Sequence, residues 1–220
     1  MPTVLGLDEA GRGAWLGPLV VGAFLVRSEQ IDRLRSIGVR DSKRLAPVAR
    51  ERLYRALGEI GTYRAMAIPP ATVDRRVAHG ELNRLEAESF AALIRSLRAD
   101  EIRLDACDVD PARFGRSVGA LAGTTIPIRS AHRMDATDPV VGAASIVAKV
   151  ERDRAVARAA ASLGLPIGSG YPSDPRTRRF VEEAHRRAPS RLHGLWRRSW
   201  APSQRLIAAR TARALEEFGP

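Results

Sequence analysis

Val4-Leu5-Gly6-Leu7-Asp8-Glu9-Ala10-Gly11-Arg12-Gly13 decides the reading of this chain. An apolar, strand-like run meets two adjacent carboxylates, and the glycines that follow mark a turn. Acidic residues at a strand end are where buried carboxylates converge on a divalent cation, because magnesium and manganese take oxygen ligands that are few and anionic. In a regular strand Asp8 and Glu9 would point to opposite faces. Both serve one site if the strand stops at Asp8, as Gly11-Arg12-Gly13 suggests, and the glycines let backbone amides approach a sugar or phosphate closely. The alternative is a plain solvated turn. Glycines 11, 13 and 17 do not match the dinucleotide fingerprint, and the apolar run after them reads as strand.

Working outward, two more acidic residues fall at comparable places. Asp105 lies in the apolar run Ile102 to Ala106, and Asp135 precedes a helical pattern from Pro139 to about Leu163. The remaining strand candidates are Leu19 to Val26, Thr62 to Ile68 and Thr125 to Ile128. Pro47 opens a helix with Leu53, Tyr54 and Leu57 on its apolar face; Leu82, Leu85, Phe90, Leu93, Ile94 and Leu97 recur at helical spacing, and Pro111 opens another helix. Three strands on short links, then helix, strand, helix and strand, predict an α/β fold: a mixed five-stranded sheet flanked by helices. Beyond Gly168 a Gly-Tyr-Pro-Ser-Asp-Pro loop and arginine-rich helical stretches predict a small C-terminal helical appendage. The expected division is a catalytic domain over residues 1–168 and a substrate-contacting loop with helices over 169–220.

The 220 residues carry a net charge of +11 and a pI near 11.2. Such an excess favours polyanions, and binding through phosphate contacts falls with salt. Of the 36 cationic side chains only Lys43 and Lys149 are lysine; they mark places where a compact ammonium suits better than a planar guanidinium. A single Cys107 excludes an internal disulfide and a cysteine-based zinc cluster, and reads as a small buried hydrophobe. Acidic residues precede the first apolar run, against a secretory signal. Gly13 to Val26 is too short for a membrane helix. The expectation is a cytoplasmic protein without membrane contact.

Ser145, Lys149 and Arg152 stand at i, i+4 and i+7, one helical face that either grips a phosphate strand or is simply solvated. Asp41-Ser42-Lys43 is a turn by default and a phosphate contact if it faces the site. Tyr171, between Gly170 and Pro172, either stacks on a sugar or base or anchors its loop.

Together these segments resemble the type 2 ribonuclease H family, ribonuclease HII. The resemblance runs through residues 6–13 with Gly17-Pro18-Leu19-Val20, Asp41-Ser42-Lys43-Arg44-Leu45, Leu104-Asp105-Ala106-Cys107-Asp108-Val109, Met134-Asp135-Ala136 and on from Pro139 to Asp153. It continues through Gly168-Ser169-Gly170-Tyr171-Pro172-Ser173-Asp174-Pro175 to Arg198-Ser199-Trp200, and the Gly-Tyr-Pro-Ser-Asp-Pro form is similar to the archaeal and eukaryotic branch. The resemblance implies a ribonuclease H-like catalytic domain. It makes Asp8, Glu9, Asp105 and Asp135 the catalytic, metal-binding carboxylates, and Gly11, Arg12, Gly13 and Tyr171 readers of the ribonucleotide 2′-hydroxyl. Lys43, Ser145 and Lys149 would lie near substrate phosphates. The implied reaction hydrolyses the phosphodiester 5′ to a ribonucleotide, in RNA/DNA hybrids or ribonucleotide-containing duplex DNA, leaving 3′-hydroxyl and 5′-phosphate. Two Mg2+ or Mn2+ ions would activate water and stabilise the departing oxygen.

Where the chain departs from the family pattern, Met134 replaces a small residue and Asp138 an aromatic; Asp138 reads as a helix N-cap. His132 reads as a surface residue. No clamp-binding motif is evident from Gln204 onward, and a monomer is expected. Two alternatives stand beside this reading: a non-catalytic hybrid-binding subunit, and a type 3 ribonuclease H, which usually has a further N-terminal domain.

Overall fold

In a computed structural model of the protein, residues 1–39 and 45–217 are described, with side chains as far as residue 212. Lys43, with Asp41 and Ser42, lies outside them. Five strands form one sheet: β1 (Thr3–Ala10), β2 (Leu19–Arg27), β3 (Thr62–Ile68), β4 (Glu101–Asp105) and β5 (Ile128–Ala131), in the order β3-β2-β1-β4-β5. β2 runs antiparallel to β1, whereas β4 is parallel to β1 and β5 to β4. The expected mixed five-stranded sheet is therefore present.

The chain folds as two compact units. The first comprises Met1–Ala10, Val20–Ala67 and Leu82–Arg152. Alternation along the central strands splits its core in two. Val4, Phe24 and Val26 pack with Leu34 of α1 (Ile31–Ser36), Leu53 and Leu57 of α2 (Pro47–Leu57), and Val140, Ala144 and Val147 of α7 (Pro139–Leu163). On the opposite face Leu5, Leu7, Ile102 and Leu104 pack with Phe90 and Leu93 of α4 (Leu82–Ser96) and with Phe114 and Val118 of α5 (Pro111–Ala122). The helices thus cover both faces of the sheet.

Two glycines set how closely α7 approaches. A Cβ built on Gly6 would stand 2.3 Å from the Val140 carbonyl oxygen, and one on Gly22 would stand 2.5 Å from that of Ala144. No side chain fits at either position while α7 stays where it is.

Three local expectations are corrected. β1 does not stop at Asp8: the ladder continues through Asp8↔Gly22, Glu9↔Val21 and Ala10↔Val20. β5 occupies Ile128–Ala131 instead of residues 125–128, because Pro127 has no N–H to give; its carbonyl accepts from Ile102 and the register starts at Ile128. Pro70 does more than stop β3, since it opens α3 (Pro70–Val77) in its first turn.

The second unit comprises Gly11–Leu19, Ile68–Glu81 and the chain from Asp153 onward. Its core gathers Trp15, Leu16, Val156, Phe180, Val181 and Leu192, with α8 (Pro175–Arg187) and α9 (Ala201–Glu217) as its C-terminal helices. Trp15 Nε1 donates to Ser203 Oγ at 2.6 Å, which fixes the N-terminal turn to α9. No helix among the described residues is long and apolar enough to cross a membrane.

Candidate active site

Asp8, Asp105 and Asp135 come together in the first unit. One carboxylate oxygen of each lies within 4.8 Å of the others. The sheet produces this. Leu7 pairs with Leu104 across parallel strands, so the next residues, Asp8 and Asp105, stand side by side towards the carboxyl ends of β1 and β4, where ligands gather in α/β sheets. β5 then ends opposite Asp105. Arg133 turns the chain with φ 54°, the only left-handed residue other than glycine among those described. The Met134 N–H donates to Asp105 Oδ1 at 3.0 Å, and Asp135 follows, buried, in the single turn α6 (Met134–Thr137).

The electrostatics match the crowding. Burial first, then the charges of Glu9, Asp105 and Asp135, hold the Asp8 carboxyl well above its ordinary pKa; a hydrogen bond from Ser145 opposes them. Three carboxylates gathered in a mostly buried pocket repel one another unless a cation joins them. The donors are all oxygen, the set that suits a hard divalent ion, so the residues present fit such a metal.

Glu9 adjoins that triad through Asp8. It is half-buried and follows Asp8 in the continuing strand, opposite Val21. Its backbone N–H donates to Asp8 Oδ1 at 2.8 Å, and its charge acts on Asp8. Ser145 is buried on α7 with its hydroxyl on Asp8. Lys149, a turn further on, is half-buried, and Arg152 is fully buried. The face they share is therefore neither solvated nor open along its length.

Asp138 caps α7 as expected. Its Oδ1 accepts from the backbone of Val140 and Val141 at 2.8 and 3.2 Å, and its Oδ2 pairs with Arg103 Nη1 at 2.9 Å. Both oxygens are occupied in holding the helix start. His132 is exposed, with Nδ1 against the Ala106 carbonyl.

The remaining expected residues belong to the second unit. Gly11, with φ 90°, starts a turn closed by the Ala14 N–H on its carbonyl at 3.2 Å; Arg12 is half-buried and Gly13 exposed. The Gly170 carbonyl accepts from Trp15 and Leu16 at 2.7 and 2.9 Å, so the turn and the loop bearing Tyr171 are fastened together. Tyr171 is half-buried. Asp174 closes this loop by accepting from Ser169 and Arg176, which holds its carboxyl down at about 2.

Sequence reading overlooked Arg197. It is fully buried and donates from Nε to the Gly17 carbonyl at 3.1 Å and from Nη1 to that of Arg12 at 3.0 Å, while its guanidinium lies 5.1 Å from the Trp200 ring centre. It braces the Gly11–Gly17 segment from the C-terminal side. Its signal was present in Arg197-Arg198-Ser199-Trp200, but an arginine-rich chain hides a structural arginine among solvated ones.

Comparison with known proteins bears on the same residues. The Ribonuclease HII family model matches residues 5–203. A Ribonuclease HII from Cenarchaeum symbiosum is 44% identical over 94% of this chain and 98% of its own. The crystal structure of the ribonuclease H2 from Pyrococcus horikoshii superimposes with a TM-score of 0.85 at 38% identity, covering 94% of this chain and 98% of that one. The Archaeoglobus fulgidus RNase HII, solved as a complex with PCNA, gives 0.82 at 36% identity over 90% and 95%. These relatives are archaeal, as the loop around Tyr171 implied. The chain belongs to the ribonuclease HII family of enzymes.

Proposed function

We propose that this protein is a metal-dependent endonuclease that hydrolyses the phosphodiester 5′ to a ribonucleotide, in RNA/DNA hybrids and in duplex DNA with embedded ribonucleotides. The convergence of Asp8, Asp105 and Asp135 within 4.8 Å carries the reading, and family membership supports it. Divalent ions, Mg2+ or Mn2+ and two in the working complex, would be held by these three with Glu9 completing the set; when bound they supply Lewis-acid activation and charge neutralisation. A water oxygen adds to phosphorus, the bond to the 3′-oxygen breaks, and the products are a 3′-hydroxyl and a 5′-phosphate.

The other residues take supporting parts. Ser145 orients Asp8, and Lys149 and Lys43 meet substrate phosphates. The Gly11-Arg12-Gly13 turn and Tyr171 read the 2′-hydroxyl, the atom that separates RNA from DNA. A site built around that bond discriminates strongly, because all-DNA duplex would leave its polar groups unpaired. The C-terminal part beyond residue 168 is substrate-contacting in this reading, and the net charge of +11 favours a nucleic-acid duplex. The protein works as a cytoplasmic monomer. The PCNA partner of the Archaeoglobus fulgidus relative is a property of that protein and is not part of the proposal.

The test is end-labelled duplex DNA with one embedded ribonucleotide, incubated with Mg2+, Mn2+ or EDTA beside an all-DNA duplex. Metal-dependent cutting on the 5′ side of the ribonucleotide is expected. Binding without product in both metals, on this duplex and on an RNA-tract hybrid, would overturn the reading.

A further inference from the structure

Asp105 and Asp135 reach the candidate site from different elements, β4 and α6, and one ion pair ties those elements together. Along β4 successive side chains alternate between the two faces of the sheet. Ile102 and Leu104 enter the core with α4 and α5, so Glu101, Arg103 and Asp105 share the opposite face. Gly6, the neighbour of Arg103 in β1, lies against Val140 at the start of α7 on that face. Arg103 uses all three guanidinium nitrogens there. Nε and Nη2 donate to the two carboxylate oxygens of Glu101 at 2.8 and 3.1 Å, and Nη1 donates to Asp138 Oδ2 at 2.9 Å. The fork on Glu101 fixes the guanidinium plane on its own strand, so Nη1 becomes a fixed point for the group it holds. The Arg103 and Asp138 side chains are only 17% and 10% exposed, and the bond between them is little screened by salt.

What Asp138 holds is the junction of α6 and α7. Its N–H donates to the Met134 carbonyl at 2.8 Å and closes α6, and its own carbonyl accepts from Gly142 at 2.9 Å. Its Oδ1 receives the Val140 and Val141 N–H groups that open α7. Met134 is the residue whose N–H meets Asp105 Oδ1. The first turn of α7 also rests on Asp135, since a Cβ built on Gly142 would stand 2.9 Å from the Asp135 carbonyl oxygen. Further along the same helix, Ser145 bonds to Asp8. A shift of Asp138 therefore moves Asp135 and Ser145 together relative to β4. A helix cap needs one carboxylate oxygen. The second oxygen, held by an arginine of the strand that bears Asp105, fixes where the helix stands as well as where it starts.

We propose that Arg103 and Asp138 are positioning residues for cleavage: their ion pair sets the spacing of Asp135 and of Ser145 on Asp8 against Asp105, and with it the affinity of the triad for a divalent ion. The inference rests on the metal-dependent reading above. The aromatic of the family pattern at position 138 could not form this pair.

The test is a double-mutant cycle of Arg103→Met and Asp138→Ser in the full chain. Methionine fills similar space without a donor, and serine keeps an oxygen for the start of α7 but is too short to reach Arg103. Asp138→Asn is the milder second variant, because it keeps the size and the cap while its amide nitrogen faces a second donor. Two quantities are measured well below each melting temperature: Mn2+ affinity of the substrate-free protein, from the electron paramagnetic resonance signal of free Mn2+, and the single-turnover cleavage rate at saturating metal. Each single substitution should weaken Mn2+ binding and slow cleavage by about tenfold or more, with duplex binding in EDTA unchanged. The double variant should be no worse than the weaker single one, because the second change finds the pair already broken. A pair that only stabilises the fold would lower the melting temperature and leave Mn2+ affinity and cleavage rate at wild-type values. That result overturns the proposal, as does a double variant whose losses multiply those of the singles. A wild type that binds Mn2+ and cuts, beside variants that match it, removes this inference alone. A wild type that neither binds nor cuts removes the functional reading with it.

Discussion

Gly22 lies directly across the ladder from Asp8, and the α-carbon of Gly22 faces the backbone of α7 where that helix carries Ser145. A methyl at Gly22 would meet Ala144 O at 2.5 Å and Ala148 N at 2.8 Å. The position of Ser145 on Asp8 therefore depends on a residue with no side chain. Gly22→Ala must push the helix outward. The expected cost is about 2–3 kcal/mol or more in urea unfolding, with a fall in cleavage rate. Gly13→Ala is the contrast, because nothing lies within 4 Å of its added Cβ. Stability there should change by less than about 0.5 kcal/mol, so any lost activity belongs to substrate contact. Equal stability in the two variants would contradict the close packing of α7 on β2.

The triad predicts a stability that trades against function. Asp135 is buried beside Asp8 and Asp105, and Asp135→Asn removes one charge from a repelling cluster. Metal-free protein should be as stable as wild type or gain up to about 1 kcal/mol. Added Mg2+ or Mn2+ should raise the melting temperature of wild type and leave the variant nearly unmoved, since ligands stabilise only the state that binds them. Differential scanning fluorimetry with and without EDTA reads both effects.

Arg197 joins parts of the chain far apart in sequence through its bonds to Arg12 and Gly17. Arg197→Gln leaves one buried and one half-buried carbonyl short of a charged donor, for about 2–4 kcal/mol of lost stability. Arg197→Lys retains charge but cannot fork, and should recover only part. Because Gly11–Gly13 is the proposed substrate reader, KM for the ribonucleotide duplex should rise more than kcat falls. An unchanged KM in folded protein would remove Arg197 from the positioning of that turn.

Asp174 gives a pH signature. Its carboxyl accepts from Ser169 and Arg176 and sits at about 2 in the folded chain, below the ordinary 3.8. A depressed carboxylate contributes stability that is complete above the unfolded value and fades as pH falls towards the folded one. The difference in unfolding free energy between wild type and Asp174→Asn should therefore shrink from about pH 4 to pH 2. At neutral pH Asp174→Ala should cost about 1–2 kcal/mol, the usual worth of an N-cap.

Much of this was legible in the sequence, for identifiable reasons. Asp8 and Asp105 interrupt apolar strand runs, and Asp135 sits immediately before a long helical pattern, so charge against periodicity placed the triad. Prolines 47, 111 and 139 marked helix starts that the structure shares. Pairing was not legible. The strand was expected to end at Asp8, but its register with β2 carries it to Ala10. β5 follows hydrogen-bonding capacity, which Pro127 lacks, instead of the apolar run that suggested residues 125–128. Arg152 was expected on a face that either grips a phosphate strand or is solvated, and it is fully buried. Each of these outcomes depends on partners distant in sequence.

The central claim is that the Asp8–Asp105–Asp135 triad drives cleavage through divalent metal. The most direct measurement is the single-turnover cleavage rate of the one-ribonucleotide duplex across a Mg2+ titration, for wild type and Asp135→Asn. The predicted result is no cleavage in EDTA, saturable cleavage by wild type, and a loss of about a thousandfold or more in a variant that remains folded. Cleavage that survives EDTA, or a variant that turns over at the wild-type rate, would contradict the account.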